Sequence, residues 1–477
     1  MDGLEAVELP LSKVFQDNLS FRLDSEYYGK EFIKTFELMH KIDSYRLDDI
    51  TTRISVGFVG AMVDEYREEG IQLLQTKNID QIFIDSSAQT FINYSFHSSL
   101  KKSQVNTGDI LIARSGSFGK ASIYLGHETI NSSDIIIIKV DEKTGYNPFY
   151  VTAFLNTLHG KAQMFRFASG GLQGHVNLTI LENLKVPNLS TVFQTDIEEL
   201  IVSACQQLEQ SKALYKEAEQ IILSALGLID YTPTEGNISV KSISESFGES
   251  GRLDSEFYQP KFDEIEKKLS VFTNIKLRDL VNYPVSSGTT PKAGGDAYTD
   301  KSNGIPFIRA VNISDAKVNF ENPNYIKPEV HNGKLKKTQM KQNDVLFSIA
   351  GTVGRCGISE YEGDANINQA CAILRFDEKL VNRLYLIMYF NSFVGKQYID
   401  RYSRQGLQTN LNLDEVGSLS IPVIDKDLQE EVASLITASF ELKNESKHRL
   451  DLAKNSVELA IEKGEETAMA LIKRSIN

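Results

Sequence analysis

The sequence is short of cysteine, has no long apolar run and shows no surplus of positive charge. Its three cysteines, Cys205, Cys356 and Cys371, are odd in number and lack CxxC spacing, which argues against a disulfide framework and against a zinc site. The seven histidines show no HExxH or other paired-ligand spacing, so no metal is expected. No stretch approaches the roughly 18–20 apolar residues that span a bilayer. The opening MDGLEAVELPLSKVF has neither a basic n-region nor an apolar h-region. The chain is therefore expected in the cytoplasm, with no membrane partner, and its N-x-S/T sequons carry no meaning there. The net charge of −13, taken whole, argues against nucleic acid, which needs clustered Lys and Arg. What is present is an ordinary globular composition, 41% hydrophobic and 24% charged, over 477 residues. That length calls for roughly two to four domains.

Laid over itself, the sequence repeats. Arg22-Leu23-Asp24-Ser25-Glu26-Tyr27-Tyr28 returns as Arg252-Leu253-Asp254-Ser255-Glu256-Phe257-Tyr258, at an offset of 230. At an offset of 235, Asp109-Ile110-Leu111, Gly116 and Gly119-Lys120 match Asp344-Val345-Leu346, Gly351 and Gly354-Arg355. Gly160-Lys161 matches Gly395-Lys396 at the same offset, Gly171-Leu172-Gln173 with Asn177-Leu178 matches Gly406-Leu407-Gln408 with Asn412-Leu413, and Pro187 matches Pro422. Chance identities do not keep one offset over so long a stretch, so the chain reads as two copies of one domain-sized unit.

Each copy opens on a short helix, from Ser25 to about Lys41 and from Ser255 to about Leu269. It continues through short apolar runs such as Ile110–Ala113 and Ile135–Ile138, which read as strands between glycine-bearing turns. Proline at Pro187 and Pro422 marks the exit, and the period then becomes helical. Ile197, Ile201, Ala204, Leu208, Ser211, Tyr215, Ala218, Ile222 and Ala225 step 4-3-4-3 along an a/d seam. Val432, Ile436, Ser439, Lys443, Ser446, Leu450, Ala453, Val457 and Ala460 keep the frame less cleanly. A helix of about 35 residues, roughly 50 Å long, cannot bury such a seam alone, so the two are expected to pair as an antiparallel coiled coil. The fold class is α+β with internal duplication. Its parts are an N-terminal segment and helix (1–44), a first β-rich domain (45–190), a central helix (191–228), a linker and short helix (229–274), a second β-rich domain (275–425) and a C-terminal helix (426–477).

The charge is unevenly placed. Residues 45–190 hold 13 Lys+Arg against 14 Asp+Glu, and residues 275–422 hold 18 against 15. The acidity therefore lies in the helices and flanks, where the plain reading is a solvated surface. The near-neutral β-rich domains can still present a basic face, with Lys334, Lys336, Lys337 and Lys341 as one candidate. The overall charge no longer excludes DNA.

With these elements in order, the chain resembles the specificity subunit of type I restriction–modification systems over nearly its whole length. The resemblance rests on the duplicated RLDSE-F/Y-Y opening, on Gly304-Ile305-Pro306-Phe307-Ile308-Arg309-Ala310-Val311-Asn312-Ile313, on the D-I/V-L…G-x-x-G-K/R and G-L-Q…N-L elements, and on the closing helices. The first copy departs at Gly70-Ile71-Gln72-Leu73-Leu74-Gln75-Thr76-Lys77-Asn78-Ile79, which lacks the Pro and the Arg. The resemblance implies two target recognition domains, each reading one half of a split, asymmetric site on double-stranded DNA. It implies that the helices space the halves and dock two adenine-methylating modification subunits, that restriction subunits can join, and that this chain has no catalysis and no cofactor.

Two motifs that hint at enzymes have plainer readings. Asn147-Pro148-Phe149-Tyr150 is one residue from the N-P-P-Y/F loop of adenine methyltransferases, but no glycine-rich cofactor loop precedes it, and the second copy has Asn382-Arg383-Leu384-Tyr385. It reads as the start of a helix Phe149–Leu158. The Gly116–Lys120 segment fails the Walker spacing and reads as a tight turn, or as backbone amides that grip a DNA phosphate with Lys120 or, in the second copy, Arg355. For base reading, amide, hydroxyl and guanidinium side chains on loops are needed. The candidates are Gln173, His175 and Asn177, matched by Gln408, Asn410 and Asn412, then Thr289, Thr290 and Lys292, and Arg309 with Asn312, to which Lys77 and Asn78 are roughly equivalent. Turn or capping roles compete at each. Two rivals remain: a fused methyltransferase–specificity chain, which would bind S-adenosylmethionine, and a coiled-coil scaffold with protein-binding heads, which would have no DNA affinity.

Overall fold

The computed structural model describes every residue except 1–6, 16–21, 115–118, 168–175, 235, 237, 248–250, 293–294, 404–408 and 477. It divides into two compact units, residues 1–209 with 442–477 and residues 210–441. Both mix helix and strand, an α+β architecture.

In unit 1, described residues form a sheet in the order Thr51–Val56, Ile135–Val140, Ile110–Ala113, Ala121–Ile123. A second sheet runs Tyr66–Arg67, Phe91–Ile92, Ile71–Leu74, Ile130–Ser132, Gln104–Val105. The uninterrupted apolar runs follow from burial on both faces. Ile110, Ile112, Ile136 and Ile138 pack with Tyr150, Val151 and Phe154 of the helix Pro148–Asn156. Their neighbours Leu111, Ala113, Ile135 and Ile137 pack with Leu74, Val105 and Ile130 of the second sheet.

Unit 2 has the sheet Ser286–Ser287, Cys371–Leu374, Val345–Ser348, Cys356–Ile358, Lys317–Val318, Ile313–Ser314 and a smaller one, Asn324–Ile326, Ile305–Ile308, Asn366–Ile367. Alternation again divides the strand: Val345 and Phe347 join the core with the helix Arg383–Asn391, and Leu346 faces Ile308 and Ile367.

The expected helix Phe149–Leu158 is two helices, Pro148–Asn156 and Leu158–Phe167. Thr157 starts the second, its hydroxyl accepting from the Gly160 N–H at 3.1 Å. Gly160 is needed because a Cβ there would run into the Phe154 carbonyl. Unit 2 does the same with Ser392 and Gly395 against Tyr389. This explains the repeated Gly-Lys pair. Asn147 caps the first helix by accepting from the Phe149 N–H at 2.8 Å, so the N-P-F-Y motif is a helix start.

The RLDSE motif is a clasp. Arg22 bonds Asp24 and donates to the Arg166 carbonyl, while Arg166 lies 4.4 Å over the Tyr27 ring. Arg252 bonds Asp254 and the Tyr402 carbonyl, and Arg401 stacks over Phe257 at 4.7 Å. The Arg–Asp bond holds the Asp24 carboxyl below its ordinary range.

The long helices span Thr191–Ala225 and Lys426–Lys463. Within unit 1, Ile197 and Ile201 share a core with Ala453, Val457 and Ala460, and Ser446 donates to the Ala204 carbonyl at 2.7 Å. Within unit 2, Ala218 and Ile222 share a core with Val432 and Ile436, and the Ser211 and Ser439 hydroxyls lie 2.9 Å apart. Of the seam positions expected in the second helix, Lys443 is exposed. No described helix is long and apolar enough to cross a membrane.

Candidate nucleic-acid interface

Each unit carries a short 3-10 turn after an inner strand, Thr76–Asn78 in unit 1 and Ala310–Asn312 in unit 2. Asn78 Oδ1 accepts from the Gln75 N–H at 2.9 Å, and its Nδ2 donates to the Asp85 and Ala88 carbonyls. Asn312 Oδ1 accepts from the Arg309 N–H at 3.0 Å. Both asparagines are buried, at 1% and 7% exposure. In this structure both side chains hold the turn, with their polar atoms turned into the fold. The equivalence also shifts, for it is Gln75 that matches Arg309 and the exposed Lys77 that matches the exposed Val311. Gln75 is engaged with Tyr66 and Thr90, whereas the Arg309 Nε is buried without a hydrogen-bond partner among the described residues.

The other candidates fall into three groups. Asn177 and Asn412 cap short helices, accepting from the Ile180 and Glu415 N–H groups at 2.9 and 2.8 Å. Lys120 pairs with Asp80 at 2.7 Å, and Arg355 donates to the Ile313 carbonyl at 3.3 Å, beside the Asn312 turn. Thr289, Thr290 and Lys292 line one groove of about 550 Å³ with Lys334. Asn410, exposed, bridges Ala350. Gln173, His175 and Gln408 lie outside the described residues, as do Gly116, Ser117 and Phe118.

The aspartate of the D-I/V-L motif is structural. Asp109 Oδ2 accepts from the Asn106 N–H at 2.9 Å and pairs with Arg53 at 2.7 Å. Asp344 accepts from the Lys341 N–H and pairs with Arg375 at 2.5 Å. Arg53 lies in the strand Thr51–Val56 and Arg375 just after the strand Cys371–Leu374, yet each also donates to the carbonyl of a matched glutamine, Gln104 or Gln339. Burial pushes the Asp109 carboxyl up, and the Asn106 N–H and Arg53 pull it back.

Beneath a second turn in each unit lies a buried polar network. Asn366, fully buried, accepts through Oδ1 from the Thr338 hydroxyl at 2.7 Å and the Ile367 N–H at 2.9 Å. Its Nδ2 then faces the Leu335 carbonyl at 2.9 Å and His331 Nδ1 at 3.3 Å. That fixes His331 as the acceptor, a neutral ring, and burial lowers its pKa from the ordinary 6.5 against the opposing pull of Asp364. A histidine held neutral in the fold contributes stability that is complete above the unfolded value of 6.5 and is lost as pH falls below it. The unfolding midpoint at pH 5 is expected below that at pH 7, with a narrower gap in His331→Gln. An equal gap in the variant would assign the pH dependence elsewhere.

Unit 1 repeats this network with Asn131, Ser103 and His97. The turns it supports carry Lys101-Lys102 and Lys336-Lys337. The second pair belongs to the basic cluster read from the sequence. The first was missed, although Lys-Lys followed by Ser or Thr at the 235 offset was a usable signal.

Residues 270–452 match the family described as the type I restriction modification DNA specificity domain. The specificity subunit of the type I restriction enzyme EcoBI of Escherichia coli is 21% identical over 338 residues, which cover 70% of this chain and 66% of that protein. The match thus spans just under two thirds of the relative's length. Among solved structures, the S subunit of a type I restriction–modification system from M. genitalium aligns over 88% of this chain and 96% of its own, with a TM-score of 0.41 and 11% identity. The HsdS subunit from Thermoanaerobacter tengcongensis aligns over 89% and 97%, with a TM-score of 0.29 and 13% identity.

Proposed function

The chain belongs to the type I restriction–modification specificity family through its domain at residues 270–452, and on that premise we propose that it is the sequence-reading subunit of such a system. It binds double-stranded DNA at an asymmetric bipartite site and directs adenine methylation, and restriction, by partner subunits, while carrying out no chemistry itself. The observation that carries this reading is the family match. The internal duplication is supported by hydrogen bonds that recur at the 235 offset, such as Tyr150 to the Pro187 carbonyl and Tyr385 to the Pro422 carbonyl. In this reading residues 45–190 and 275–425 are the two target recognition domains. The long helices pair as an antiparallel coiled coil, dock two modification subunits and set the spacing of the half-sites, in keeping with the buried seam residues of each unit.

Within the recognition domains, Arg309, Thr289, Thr290 and Lys292 are the candidate readers of unit 2, and Lys77 is the exposed candidate of unit 1. Lys120 and Arg355 are phosphate contacts. Methylome sequencing of a host carrying this chain with its modification partner tests the proposal. One asymmetric split motif is expected, and DNA methylated without any sequence preference would refute it. Arg309→Ala is expected to relax only the half-site read by unit 2, by about 1–3 kcal/mol if it holds a guanine edge. Lys120→Ala is expected to weaken all sequences alike and to lower the salt slope by about 0.9. Binding curves on duplexes altered in one half at a time separate these results.

A further inference from the structure

The 3-10 turns Lys101–Ser103 and Lys336–Thr338 are built alike, and the reading candidates make no use of them. With three residues per turn, consecutive side chains splay by about 120°, so a third residue aimed inward sends the two before it outward on either side. The third residue is aimed inward in both. Ser103 is buried at 3% exposure and donates to Asn131 Oδ1 at 2.5 Å, and Thr338 is buried at 5% and donates to Asn366 Oδ1 at 2.7 Å. Each asparagine is fully buried and meets a histidine of the preceding helix, His97 or His331, at 3.3 Å. A buried polar network rigidifies what it holds, and what these hold is a pair of lysines.

All four lysines are exposed, and none of their ammonium groups has a hydrogen bond or ion pair among the described residues. Other lysines of the same units are engaged: Lys454 with Asp451, Lys317 with Glu360, Lys327 with Asp296. Two unpaired ammonium groups on a fixed backbone turn suit phosphate oxygens, which accept point charges, better than base edges, which need a planar donor–acceptor pattern. The contrast between units points the same way. Reading positions differ, Gln75 against Arg309 and Lys77 against Val311, as readers of different half-sites must. Contacts that carry no sequence information have no reason to differ, and the lysine doublets are identical.

We propose that Lys101-Lys102 and Lys336-Lys337 are the backbone grips of the two recognition domains, each doublet holding phosphodiester groups of double-stranded DNA and fixing the register from which its unit reads. The proposal rests on the DNA-reading function above. The test uses the full chain in complex with its modification partner, titrated with a duplex carrying the methylated motif and with one whose half-sites are scrambled, from 50 to 200 mM salt. K101A/K102A and K336A/K337A are each expected to weaken both duplexes by the same factor and to lower the salt slope by about 1.8, two contacts at about 0.9 each. K101R/K102R and K336R/K337R are expected to keep the wild-type slope, and all variants the wild-type unfolding midpoint. Alanine variants that bind as the wild type does, or that lose one half-site sequence selectively, overturn the grip while leaving the proposed function intact. Variants that instead lose the modification partner on gel filtration make the doublets a protein contact and overturn it too. A wild-type complex with no DNA affinity removes both proposals.

Discussion

Asn366→Leu is expected to lower the stability of the fold by about 2–6 kcal/mol, as two buried groups lose a partner at about 1–3 kcal/mol each. Asn366 is fully buried, and every polar atom of its side chain is engaged. Leucine is close in volume, so little of the loss comes from a cavity. It comes from the Ile367 N–H and from the Thr338 hydroxyl, which keeps only its longer bond to the Leu335 carbonyl at 3.3 Å. Asn131→Leu is expected to act alike in unit 1, where Oδ1 accepts from Ser103 and from the Ser132 N–H at 3.1 Å. Thermal and urea unfolding of the full chain measure the loss, with Lys336→Ala as a surface control expected to stay within about 0.5 kcal/mol. A loss below about 1 kcal/mol in both leucine variants would mean that the networks hold nothing in place.

Such networks explain what could be read from the sequence and what could not. Periodicity gave the strands and the long helices, because a strand buried on both faces must be apolar throughout and Ile135–Ile138 admits little else. The offset of 235 is a property of the sequence, and side-chain hydrogen bonds such as those of Tyr150 and Tyr385 recur at it. Side-chain chemistry was far less legible. Asn78, Asn312, Asn177 and Asn412 have the residue type that reads adenine, and the same type caps helices and ties turns. Only burial and partners separate the uses. The break between Asn156 and Leu158 was hidden because Thr157 looks like any helical residue until its hydroxyl is seen to accept from the Gly160 N–H. In the Arg309–Asn312 turn a glutamine of unit 1 stands where unit 2 has the arginine, and the residue common to both is the asparagine that ties the turn.

If the helices set the spacing as proposed, inserting one heptad in each, after Glu209 and after Glu441, is expected to lengthen the gap between the methylated half-sites by about 3 bp. Seven residues add about 10.5 Å at 1.5 Å per residue, and B-DNA rises about 3.4 Å per base pair. A whole heptad returns the next seam residue to the same face, so the layers on either side, Ala204 with Ser446 and Ser211 with Ser439, keep their partners. Insertions of three residues turn the seam away from its partner and are expected to abolish assembly. Three base pairs also turn the duplex by about 0.3 of its 10–10.5 bp repeat, so the second half-site no longer faces its reader unless the DNA untwists or bends. Such deformation costs about 1–6 kcal/mol. Methylation should therefore be slower than with the wild type, yet confined to the same two half-sites. Methylome sequencing reads both quantities at once. Retained activity at the original spacing would show that the helices do not set the distance, and that the spacing belongs to the recognition domains or to the modification subunits.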